Sequence, residues 1–269
     1  MIQDIAPKHL DNTWKPRLPE PDDTVFDYDG RNLFLKPDQT FFHVRDLSED
    51  TVYQYLFSIG EEGFFAADLT KQKVISLDTR ICRTYQPRYL GFACILGWQL
   101  VSWMRANQYC GRCGTKMEPS RTERALVCPS CGQIVYPRLN PAVIVGILNE
   151  KNQLLITRYA HGTYSKDALV AGYCEFGETV EETVLREVKE ETGLDVYDLQ
   201  YYKSQPWPFS SSLLCGFWCK ADSHQPIKVK EEELRYAEWR NRTDVFDALD
   251  DSSLTAEMIG LFRNGKKEY

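Results

Sequence analysis

Four cysteines spaced Cys110-x2-Cys113-x14-Cys128-x2-Cys131 constrain this chain more than any other feature of its sequence. A two-residue gap lets both thiolates of a pair reach one ion, and a glycine follows each pair (Gly114, Gly132), where the turn needs room. Four sulfurs close a tetrahedral shell, so the site is read as structural, with Zn²⁺ as the metal. A redox Cys-x2-Cys reading would need a pair to precede a helix in a βαβ context, and neither pair does. The other five cysteines, Cys82, Cys94, Cys174, Cys215 and Cys219, sit mostly in apolar runs and are expected to be buried small hydrophobes.

A chain of 269 residues with 43% hydrophobic content can bury real cores, which excludes a disordered or collagen-like protein. Nine cysteines without a signal-peptide pattern argue for reduced thiols, and the chain is expected to be cytoplasmic. The longest apolar run, Tyr89 to Trp103, is too short for a bilayer and predicts a buried helix, so no membrane association is expected. A net charge of −7 disfavours non-specific binding to a phosphate backbone. The pattern divides into residues 1–105, with short strand-like runs of α+β character, residues 106–136, which hold the metal site, and residues 137–269. In the last segment, strand-like runs from Ala142, Gln153 and Ser212 surround a polar helix predicted over Val180 to Thr192. An amphipathic helix from Leu254 closes the chain.

The richest stretch is GYCEFGETVEETVLREVKEETGL, from Gly172 to Leu194. On a helix, Glu187, Glu190 and Glu191 fall at i, i+3 and i+4, so three carboxylates share one face. Such a face is either a solvated acidic surface, helped by i,i+4 pairs of Arg186 with Glu182 and Glu190, or a cradle for divalent cations. Hard oxygen ligands select Mg²⁺ or Mn²⁺, and those ions would clamp a diphosphate.

The spacing Gly172-x5-Glu178-x7-Arg186-Glu187-Val188-x-Glu190-Glu191-x-Gly193-Leu194 resembles the Nudix box at every defined position. Downstream, SQPWPFSSS (Ser204 to Ser212) is similar to the signature of the zinc-ribbon NADH pyrophosphatase subfamily of Nudix hydrolases, with Ser210 where that subfamily has proline. The resemblance implies an α/β protein made of an N-terminal α+β domain, a zinc ribbon and a C-terminal Nudix α/β/α sandwich. It implies Glu187, Glu190, Glu191 and, further on, Glu233 as ligands for Mg²⁺ or Mn²⁺, with Glu191 the preferred base. Gly172, Glu178 and Arg186 would brace the box. Tyr173, Tyr136 and Ser212 would face substrate.

The function implied is hydrolysis of NAD(H) to NMN(H) and AMP by a homodimer with shared active sites. Removal of NAD caps from RNA is the same cut on a larger substrate. A nucleotide sensor that does not cut is the reading from another class, and the intact glutamates speak against it.

Overall fold

In the computed structural model, residues 1–161, 167–245 and 251–268 are described. They form two compact units, one of residues 2–138 and one of residues 139–269 together with Met1. No helix among the described residues is long and apolar enough to cross a membrane.

The 2–138 unit contains two small sheets, a long helix and the cysteine segment. Its five-stranded sheet runs in the order Leu10–Asp11, Gln54–Ile59, Glu62–Ala66, Thr24–Phe26, Phe42–His43, and a three-stranded sheet pairs Tyr28–Asp29, Asn32–Leu35 and Ile75–Asp78. The apolar run expected to be a helix is one, Arg88–Ala106. A Cβ at Gly97 would come within 2.7 Å of the Phe26 ring, so only glycine permits this approach. Tyr28 Oη donates to the Cys94 carbonyl at 2.7 Å, and Arg105 pairs with the buried Asp27. Residues 118–135 add three two-residue strands, Glu118–Pro119, Leu126–Val127 and Ile134–Val135, too short to hold a core alone. Within the unit they are tied down by Arg124, whose guanidinium donates to the carbonyls of Asn12 (3.0 Å) and Leu56 (2.8 Å) and lies over the Trp14 ring.

The second unit is built on one strand, Asn140–Leu148. Its alternation sends Val143, Val145 and Ile147 to one face and Ile144 and Leu148 to the other. Ser212–Lys220 runs parallel beside it in the register Asn140↔Ser212 to Leu148↔Lys220, and Val170–Tyr173 pairs antiparallel with it, Ala142 opposite Tyr173. Tyr197–Trp207 extends the sheet on one side, and Leu154–Tyr159 with Leu234–Arg240 extends it on the other. One face is covered by the helix Val180–Thr192 through Val180, Val184 and Val188, and the other by the helix Leu254–Arg263 through Leu254, Met258, Ile259 and Phe262. This is the α/β/α sandwich the sequence implied. Gln205, on the strand Tyr197–Trp207, serves the second helix. Its side chain accepts from the Leu254 backbone at 2.6 Å and donates to the Ser252 carbonyl at 2.8 Å.

Two expectations need correcting. Cys174 and Cys215 are only half-buried, unlike Cys82, Cys94 and Cys219: Cys174 follows the strand Val170–Tyr173, and Cys215 packs against the core without being enclosed by it. Glu182 does not pair with Arg186. It closes a capping box instead, accepting from the Thr179 backbone at 2.8 Å while Thr179 Oγ1 accepts from Glu182 N at 3.1 Å, since a first-turn carboxylate meets free N–H groups there.

Candidate metal centre and substrate face

The four cysteines converge, all Sγ atoms lying within 4.8 Å of one another. Cys110 and Cys131 approach to 3.6 Å and Cys113 and Cys128 to 3.5 Å, close to the ~3.8 Å edge of a tetrahedron with ~2.3 Å Zn–S bonds. Gly114 (φ 74°) and Gly132 (φ 71°) turn each knuckle, donating to Cys110 O at 2.8 Å and Cys128 O at 3.0 Å. The left-handed φ explains why glycine follows each pair. Hydrogen bonds from Thr115 bring the Cys113 thiol down to about 6. The Gln133 backbone N–H draws on Cys131, but burial and the neighbouring thiols push it up to about 12. Four thiols this close cannot all ionise without a cation among them, and the donor set fits Zn²⁺.

The glutamate helix is positioned by the same physics that ends it. Thr179 caps it and Gly193 leaves it in the left-handed region at φ 74°. With the valines on the sheet, Glu187 and Glu191 are carried to the flank and buried, at 8% and 3% exposure, while Glu190 stays in solvent. The solvated-face reading of this helix therefore fails. A Cβ on Gly172 would sit 1.9 Å from the Glu187 carboxyl carbon, so the absent side chain makes the space that carboxylate occupies.

Arg186 organises the box. Its guanidinium grips Glu178 through two bonds (2.5 and 2.9 Å), donates to Glu187 at 2.7 Å and to the Tyr173 carbonyl at 2.8 Å, and reaches Glu190 at 3.4 Å. Glu178 also accepts from Glu175 N and Thr183 Oγ1, and the Arg186 fork with these bonds holds its pKa at about 2. Burial acts the other way on Glu187, raising it, and on Glu191, which is pushed up to about 8 by burial and by the charges of Glu187 and Glu233. Oε2 of Glu191 is buried with no hydrogen-bond partner. Buried carboxylates crowded together with an unused oxygen are what a divalent cation neutralises.

Glu233 lies just before the Leu234–Arg240 strand, near enough to Glu187 and Glu191 to raise both. The four carboxylates are neighbours but do not close into a ligand cluster. Among the described residues, the only gathered groups are the four cysteines and an exposed trio, Glu150, Asp222 and His224. In this arrangement Arg186 holds Glu187 at 2.7 Å and Lys230 holds Glu233 at 2.5 Å. Sequence reasoning missed Lys230. Its signal was a cation three residues ahead of Glu233 in KVKEEE.

Tyr173 and Ser212 are brought together across the sheet's end, Ser212 Oγ donating to Tyr173 Oη at 3.3 Å, with the Tyr173 ring half-exposed. Ser210 Oγ lies 2.8 Å from Ser212 Oγ, a bond the subfamily's proline cannot make. Trp207 and Phe209 pack ring to ring at 5.0 Å. Tyr136 belongs to the 2–138 unit, where its exposed ring donates through Oη to the Glu123 carboxylate at 3.1 Å.

Residues 138–260 match the NUDIX domain, so this part of the chain is a Nudix domain. Residues 105–136 match the NADH pyrophosphatase zinc ribbon domain, the pairing of ribbon and box seen in the sequence. It is 43% identical over 150 residues to the NAD-capped RNA hydrolase NudC of Pseudomonas aeruginosa, covering 54% of this chain and 52% of that protein. With the protein of the same name from Escherichia coli it shares 41% over 151 residues, 55% of this chain and 57% of the other. The matched region thus spans just over half the length of these curated relatives. A NUDIX hydrolase from Nitrosomonas europaea of known structure is 22% identical with a TM-score of 0.48, covering 58% of this chain and 91% of that one.

Two outcomes are expected. Purified protein should carry about one zinc per chain by metal analysis, and Cys110→Ser should lower the thermal midpoint, because the ribbon's short strands have little else to hold them. The buried carboxylates also set a pH dependence. Glu191, near 8 in the fold against 4.5 outside it, keeps a proton that the unfolded chain releases, so protein without divalent ions at this site loses stability as pH rises from about 4.5 to 8. Glu178 acts in a separate window, its stabilisation lost as pH falls from 4.5 towards 2. Thermal midpoints between pH 5 and 8.5, wild type against Glu191→Gln, read the upper slope. Equal slopes in the two proteins would refute it.

Proposed function

We propose that this chain hydrolyses the pyrophosphate bond of NAD(H), releasing NMN(H) and AMP, with Mg²⁺ or Mn²⁺ held by Glu187, Glu190, Glu191 and Glu233. The observation that carries this reading is the partnerless buried oxygen of Glu191 beside Glu187 and Glu233. A pyrophosphate resists attack because its anionic oxygens repel hydroxide. Divalent ions supply the offsetting charge and lower the pKa of a bound water. The chain's own residues do the rest. Arg186 and Glu178 fix the loop so that Glu187 fills the space at Gly172. The base is Glu191, whose buried carboxylate, once deprotonated, has a raised affinity for a proton and takes it from the attacking water. The half-exposed Tyr173 ring offers a stacking face for nicotinamide or base, steadied by its bond with Ser212. We assign Tyr136 a similar role.

The same reading divides the chain into an N-terminal α+β domain (1–105), a zinc ribbon (106–136) and a Nudix domain (137–269), and makes it a cytoplasmic homodimer with shared active sites. The names of the relatives favour a second substrate, NAD-capped RNA. Charge argues that the free dinucleotide is preferred. Residues 137–269 hold 16 Lys and Arg against 22 Asp and Glu, and an RNA body gains affinity only by releasing counterions onto cations. Arg124, a candidate for a basic patch, is half-buried and engaged with backbone carbonyls.

Incubation of the protein with NADH and Mn²⁺ should yield AMP. Glu191→Gln should lower kcat by orders of magnitude with the fold intact, since losing one metal-site carboxylate can cost several kcal/mol of barrier. Retention of half the activity would sink the assignment. The value of kcat/KM for NADH should exceed that for an NAD-capped RNA of about thirty nucleotides, and a preference for the RNA that shrinks steeply with salt would reverse the order of substrates.

A further inference from the structure

Lys230 is not an ordinary surface lysine. Its backbone N–H donates to the Glu191 carbonyl at 3.2 Å, and two residues earlier Lys228 N donates to the Thr192 carbonyl at 2.8 Å. The segment is thus laid along the C-terminal turn of the glutamate helix. Glu233 N and Leu234 N both donate back to the Lys230 carbonyl at 2.9 Å, closing a turn that fixes lysine and glutamate relative to each other. The ammonium bonds Glu233 at 2.5 Å and is felt by Glu190, Glu191 and Glu232. Among the described residues, Arg186 is the other cation bonded to these carboxylates, and its donors are committed to Glu178, Glu187 and Tyr173.

We propose that Lys230 is a built-in counter-ion of the carboxylate site, which a divalent metal must displace from Glu233 in order to bind. The inference rests on the metal-site reading above. Lys230 is a positioning residue, since it acts through the carboxylates it neutralises. Without metal its ammonium stabilises like charges that would otherwise repel. With metal, Glu233 must exchange that partner for the ion, so affinity is lower than the carboxylates alone would give. Of the cations facing this site, Lys230 is the one on a flexible stem, with 42% of its side chain in solvent to receive it once released.

The test is Mn²⁺ titration of the zinc-loaded full chain, followed by calorimetry or by the free-ion EPR signal. Lys230→Met should bind Mn²⁺ about 2–5-fold tighter, the range expected for one exposed ion pair. Its thermal midpoint should fall below wild type without Mn²⁺ and match it when saturated. Lys230→Arg should stay close to wild type. Lys189→Met removes the same charge from the glutamate helix itself, but from a side chain paired with Asp195, and should leave the Mn²⁺ Kd unchanged. An unaltered or weaker Kd in Lys230→Met overturns the proposal, as does an equal gain in Lys189→Met. Failure of the underlying metal site looks different, because wild type and Glu191→Gln would then titrate alike.

Discussion

The box depends on one guanidinium. Arg186 spans Glu178, Glu187, Glu190 and the Tyr173 carbonyl, and so ties the loop before the helix, the helix itself and the end of the adjacent strand into one object. A lysine at this position could not do so, because a point charge has no planar fork to satisfy a carboxylate on one edge and a carbonyl beside it. With the loop fixed in this way, the buried carboxylates keep an arrangement their mutual repulsion would otherwise dissolve. Glu178, drawn low by the fork, and Glu191, driven up by burial, show how one short segment pushes two carboxyl groups in opposite directions.

Much of this was legible from residue spacing. Cysteine pairs followed by glycine give the ribbon, because ligand reach and a left-handed turn leave few alternatives. The box gives its helix to the residue, Val180 to Thr192, because cap, apolar stripe and terminal glycine all agree. What spacing does not carry is depth. Three glutamates on a helical face read the same whether wet or buried, and only the packing of Val184 and Val188 on the sheet decides that Glu187 and Glu191 go in while Glu190 stays out. Glu182 was misassigned because pair rules and capping rules compete for a first-turn carboxylate, and the cap wins where the backbone donors are otherwise unmet. Lys230 was hidden because its role comes from a turn laid against the helix end, a tertiary fact with no periodic trace.

The ribbon shows the same limit from another side. Its cysteines announce themselves, yet the strands they staple contain two residues each. Of these strand residues only Leu126 is buried, and the segment is held from elsewhere in the same unit, through Trp103 against the cysteine cluster and Arg124 on the carbonyls of Asn12 and Leu56. The metal thus sets the local turn geometry, and an arginine joins it to its neighbours.

The register along Asn140–Leu148 has a consequence for how such a site can change. One edge of the strand carries Tyr173 opposite Ala142, and the other carries Ser212 opposite Asn140. The glutamate helix, through Tyr173, and the segment ending at Ser212 are therefore hung from a common rail and meet where Ser212 bonds Tyr173. Residues 208 to 211 form the short connection between the two paired strands, in which the Ser210 hydroxyl bonds Ser212. New substrate tastes can be tried there, by evolution or by an engineer, while the ion-binding half keeps its alignment. A frameshift of one residue in the rail, by contrast, would turn both halves inside out together.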